Sequence, residues 1–219
     1  MFKSTARVTA FLFAFLVAST AAHAATIAVF GVDSTPGTVT AGGTLTYSNQ
    51  VLTGTLINTS LLTTDITSFG FDLPPDGNAN NSTGLNGFQG TSSGDGIFTF
   101  TDGSAGNVPH GFNSIVLDFA YLTGNNFGGG SPQLGLASGE SIQFTVSCVQ
   151  GSPNCFGGLT EAQILSGLFV RFQDIPTQFN ASGSDAGRQG QTPVPEPASM
   201  LLLGSGLAYL GRRRMRAAR

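Results

Sequence analysis

Few residues in this chain can do chemistry, and they fall into three groups. Cys148 and Cys155 bracket a turn-rich loop that holds Gly151, Ser152 and Pro153. Two thiols at this spacing do not make a zinc pattern, which needs further Cys or His ligands close by. In an oxidising compartment they are expected to pair, and the bond contributes about 2 to 3 kcal/mol because a short loop costs the unfolded chain little entropy. His110 is the one histidine beyond residue 24. A Ser-His-Asp arrangement can use it, but Val108-Pro109-His110-Gly111 reads as a turn, so no residue is assigned a catalytic role.

The acids are the second group. Asp72, Asp76, Asp95, Asp102, Asp118 and Glu140 offer many pairs for glycoside hydrolysis. With 10% charged residues and no Trp, a sugar-cleaving cleft is disfavoured, and the chain is not expected to be an enzyme. Asp76, Asn78, Asp95 and Asp102 lie in loops whose carboxylates, amides and glycines suit a hard cation such as calcium. The same residue types make turns by local hydrogen bonding, so calcium is the one cofactor left open. The third group is Arg171, which falls on the opposite side of a strand-like run from Leu168, Val170 and Phe172. Its guanidinium can hold a carboxylate or a sugar hydroxyl, pairing with an acid being the commoner outcome.

These residues must be positioned by strands. The chain has 31 Gly and 10 Pro, which favours turns and short extended segments over helices. Apolar side chains alternate with polar ones at Ile115, Leu117, Phe119 and Tyr121, at Ile142, Phe144, Val146 and Cys148, and at Phe69, Phe71 and Leu73. Such runs make one-sided sheets that pack face to face. Further strands are expected over 26–32, 44–48, 51–58, 96–101 and 168–174. The predicted body is an all-β, antiparallel sandwich of jelly-roll type. One short helix interrupts it, since Thr160 with Gln163 spells a capping box and Leu159 with Ile164 a hydrophobic staple, ending at Gly167.

Charge separates this body from its ends. Residues 25–193 hold two arginines against eleven acids, a net charge of −9 where the whole chain carries −3. A body so poor in cations repels phosphate backbones, and nucleic acid is excluded as a partner. Residues 1–24 have the layout of a secretory signal: Lys3 and Arg7, an apolar run over 8–18, and Ala22-His23-Ala24 with cleavage after Ala24. At the other end, a turn-rich linker over 182–193 leads to Val194, Pro195, Glu196 and Pro197. An apolar run over 198–210 follows, and then Arg212, Arg213, Arg214 and Arg216. A helix over 194–211 reaches roughly 27 Å, a minimal membrane span. The arginines then stay cytoplasmic and the acidic body outside.

Val194-Pro195-Glu196-Pro197-Ala198-Ser199-Met200-Leu201-Leu202-Leu203-Gly204 with its basic tail resembles the PEP-CTERM sorting signal of Gram-negative bacteria. The resemblance implies recognition by an exosortase, cleavage near 195–197, and delivery to the cell surface or matrix in a cell that makes exopolysaccharide. The expected order is a signal peptide at 1–24, a β-sandwich at 25–181, a linker at 182–193 and a sorting tail at 194–219. Export would use the Sec translocon, with a transient single membrane pass. Two roles are weighed for the body: a structural or interaction part in the exopolysaccharide of a biofilm, and a carbohydrate-binding module.

Overall fold

A computed structural model of the chain describes residues 24–74, 87–94, 96–103, 108–112, 115–152 and 154–190. Eleven strands dominate it. The first four are β1 (Ala25–Gly31), β2 (Thr40–Ser48), β3 (Val51–Asn58) and β4 (Asp65–Phe71). They are followed by β5 (Phe88–Ser92), β6 (Thr99–Asp102), β7 (Phe119–Leu122) and β8 (Leu136–Ala137). After β9 (Ser141–Cys148) come the one α-helix described, α1 (Glu161–Ser166), then β10 (Leu168–Gln173) and β11 (Ser184–Gln189).

The expected antiparallel all-β architecture with one short helix is present. Its strands form a single sheet in the order β5-β9-β3-β2-β1-β11-β10-β4-β7-β6, with β8 added beside β4. The sheet curls until its two halves face each other, nearly a barrel. Phe69 on β4 stacks on Tyr121 of β7 at 4.7 Å and meets Phe144 of β9 from the other half at 5.1 Å. Edge-on and offset ring pairs of this kind add to simple area burial. Gly54 leaves room for the Phe144 ring and Gly90 for Phe100, where an added Cβ would collide. The β2–β3 hairpin turns on Asn49 and Gln50, whose φ of 52° and 60° make the two-residue turn that matches strand twist.

Two expectations are corrected. The linker placed at 182–193 in fact supplies β11, a central strand between β1 and β10. Its sequence, SDAGRQ, has almost no apolar residues, because its inner face carries Gly187 and the buried Asp185 in place of large side chains. The shared face expected for Ile115, Leu117, Phe119 and Tyr121 is also broken. Phe119 and Tyr121 enter the main core, but Leu117 joins a second cluster with Val108, Ala120, Leu122, Phe127, Phe169 and Ala186 on the sheet's outer side. The β7 strand begins only at Phe119, so strand alternation does not extend back through Leu117.

Candidate functional site

Of the residues singled out in the sequence, Ala22, Asp76, Asn78, Asp95, Val194, Pro195, Glu196, Pro197, Arg212, Arg213, Arg214 and Arg216 lie outside the described residues. So does the expected membrane span; among the described residues no helix is long and apolar enough to cross a bilayer. Ala24 is exposed and directly precedes β1. Cys148 and Cys155 are joined in a disulfide with their Cα atoms 5.5 Å apart.

The described acids mostly hold backbone. Asp102 accepts hydrogen bonds from the N–H of Gly87 (3.1 Å) and Phe88 (3.2 Å), tying β6 to the start of β5. Glu140 accepts from Ala137 N–H at 3.0 Å, and the buried Asp118 from Leu73 N–H at 2.6 Å. Arg171 is 6% exposed, and its Nε and Nη1 have no hydrogen-bond partner among the described residues. Burial pushes its pKa down, and nearby Asp185 opposes that shift. Among the described residues it makes no salt bridge to an acid; its charge is instead desolvated beside one.

The structure also assembles a group that the sequence did not reveal. The loop after β1 brings Asp33, a turn before β7 brings His110, and the start of β11 brings Ser184 and Asp185. His110 Nδ1 lies 2.8 Å from Asp33 Oδ2, and His110 Nε2 lies 3.2 Å from Ser184 Oγ. His110 adopts φ 61°, a left-handed conformation uncommon for a residue with a Cβ, and Gly111 follows at φ 86°. The His110 side chain is 13% exposed and that of Asp33 52%, so the ring is enclosed while its carboxylate partner meets solvent.

One ligand atom each from Asp33, His110 and Asp185 lies within 4.8 Å of the others, a spacing compatible with a cation. The Asp185 carboxylate is nevertheless spent. It accepts from the N–H groups of Val32 (3.1 Å), Asp33 (3.1 Å), Ser34 (2.8 Å) and Ala186 (2.7 Å). Such a nest of backbone donors satisfies a buried carboxylate and fixes the loop that carries Asp33. The group therefore reads as a Ser184–His110–Asp33 hydrogen-bond chain on an Asp185 foundation. His110 was visible in the sequence as a turn residue; no spacing rule links positions 33, 110 and 184, since the β1–β11 pairing sets the loop of Asp33 beside Ser184 and the turn before β7 adds His110.

A second polar feature crosses β9, β3 and β2. In register, Thr91, Thr145, Thr53 and Thr46 form one outer row. Gln143, Thr55, Thr44 and Thr26 form the next. Between the rows runs a shallow groove of about 250 Å³. No charged side chain stands in either row.

None of the curated proteins and none of the solved structures matches the chain. Residues 193–216 match the family model of the PEP-CTERM protein-sorting motif. With that match, the chain carries a PEP-CTERM protein-sorting motif at the end of an antiparallel β-domain, consistent with an exosortase substrate.

Proposed function

We propose that this protein is exported by the Sec translocon, held for a time by a single membrane pass over 198–210, cut near Pro195 to Pro197 by an exosortase, and placed at the surface or in the matrix of a Gram-negative cell. The matched tail at 193–216 carries the reading. The disulfide supports it by suiting an oxidising exterior, and the body's two arginines against the arginine cluster after the apolar run suit a body on the outer side. Within the exopolysaccharide, the body serves a structural or interaction role. The test is the intact mass and cell fraction of the chain in its own host, beside Glu196→Ala. The reading expects the variant to keep its tail and stay with the inner membrane; an unchanged mass and location would remove the sorting assignment.

A second reading, carbohydrate binding, is favoured by the uncharged threonine groove, whose hydroxyls both donate and accept hydrogen bonds. Aromatic rings do not support it, because the exposed large apolar residues described are Val32, Val51, Leu61 and Leu134. Native-gel retardation of the full chain by an uncharged galactomannan, weakened in Thr53→Val/Thr145→Val, is the expected outcome. Retardation equal in both proteins would discard the groove.

A further inference from the structure

We propose that Ser184, His110 and Asp33 form a working nucleophilic triad that hydrolyses small acyl esters, with Arg171 stabilising the developing oxyanion. This goes beyond sorting and stands or falls separately from it.

The order of atoms carries the argument. A serine nucleophile needs a base at its hydroxyl, and that base needs a group on its other nitrogen to fix the tautomer and support the imidazolium. Here Nε2 faces Ser184 Oγ at 3.2 Å and Nδ1 faces the Asp33 carboxylate at 2.8 Å, the arrangement in which the proton of Ser184 points to the free nitrogen. Ser184 Oγ makes no other hydrogen bond among the described residues. Three distant parts of the chain meet here, and the backbone of His110 is held in a costly conformation.

An independent observation supplies the missing electrostatics. Across the β10–β11 ladder, Gln173 lies opposite Ser184 and Arg171 opposite Ala186. Ser184 and Ala186 are two apart on one strand, so Arg171 stands on the same sheet face as Ser184, one pair along. Diagonal neighbours in a sheet are within reach of long side chains. Arg171 has two N–H-bearing nitrogens without partners although it is buried, an unsatisfied state that native proteins seldom keep without use. Both nitrogens are closed to solvent, so Arg171 acts on the developing oxyanion through its charge, from one pair along the ladder, and not through a direct hydrogen bond.

The chemistry closes. Ser184 Oγ bonds to the ester carbonyl carbon while His110 Nε2 takes the hydroxyl proton, and the carbonyl oxygen gains the charge facing Arg171. The ester C–O bond breaks, and the alcohol leaves with the proton from His110. Water then attacks the acyl-serine, His110 accepts its proton, and the acid departs as Ser184 recovers its own. Asp33 is a positioning residue, acting through the ring. Its solvent exposure makes the site shallow, which fits small acyl groups better than long chains.

The test treats the purified full chain with a fluorophosphonate and maps the adduct within peptide 172–188 by tandem mass spectrometry, beside hydrolysis of p-nitrophenyl acetate. The expected result is one adduct, on Ser184 and not Ser182, with ester hydrolysis abolished in Ser184→Ala. Removing the base in His110→Ala slows labelling by about a hundredfold or more. If that variant does not fold, His110→Gln replaces it. Asp33→Asn keeps the adduct and leaves the KM for the ester unchanged but lowers kcat, because the ring loses the carboxylate that fixes its tautomer. Arg171→Met slows hydrolysis of the ester. Absence of an adduct at Ser184 across neutral and alkaline pH, or labelling at equal rate with and without the imidazole, would overturn the proposal.

Discussion

At the scale of single residues, the energetics turn on carboxylates that are satisfied and one that is not. Asp185 is fully buried, and its four backbone donors tie the loop after β1 to β11. Charge-assisted hydrogen bonds of this kind contribute more than neutral ones, and their loss orphans buried N–H groups. Asp185→Ala is expected to destabilise the domain by about 2 to 4 kcal/mol in chemical denaturation, with early amide exchange at residues 32–34. Asp65 is the opposite case. Partial burial first, then the carboxylates of Asp174 and Glu140, push its pKa up. The folded state thus keeps this proton to a higher pH than the unfolded chain, so stability is full below the ordinary carboxylate range and falls as pH rises through the elevated folded value. Asp65→Asn should match the parent in thermal melting near pH 3 and exceed it at neutral pH; a variant equally stable or weaker at neutral pH would contradict this sign.

At the scale of elements, what could be read from the sequence depends on whether the signal was local. The short helix was legible because its signals are contiguous: Thr160 Oγ1 accepts from Gln163 N–H, Gln163 Oε1 accepts from Thr160 N–H at 2.9 Å, and Leu159 and Ile164 are both buried. Thr160→Ala should cost about 1 kcal/mol, measured as a drop in denaturation midpoint. Strands with clean alternation, such as Ile142, Phe144 and Val146 of β9, were equally legible. Strand β11 was not, because glycine and a buried aspartate occupy positions where alternation needs large apolar groups. The same blindness hid the Ser184–His110–Asp33 chain, since its members come from the loop after β1, the turn before β7 and the start of β11. Periodicity describes how one strand meets a core; it carries no information about which distant loops a strand brings together.

At the scale of the whole molecule, the curled sheet ends at β5 and β6, which form no ladder with each other. Side chains close this seam instead. Asp102 on β6 receives the Gly87 and Phe88 N–H groups at the start of β5. The Tyr121 hydroxyl on β7 donates to Thr145 O of β9 (2.8 Å) and Thr91 O of β5 (3.1 Å), reaching across the interior. Burial, outweighing these two carbonyl contacts, pushes the Tyr121 pKa up, so the phenol stays protonated and able to donate throughout the range in which the domain is stable. Tyr121→Phe removes the one proton shared by these two carbonyls, a loss of about 1 to 2 kcal/mol. Adding Asp102→Ala should open the seam further, and the two effects should couple, because both substitutions release the same strand. Hydrogen exchange locates the opening: amides over 88–92 should lose protection first, while those of β2 and β3 keep it. Uniform loss across all strands would mean that the sheet opens as one unit, with the side chains of Asp102 and Tyr121 playing no special part in its closure.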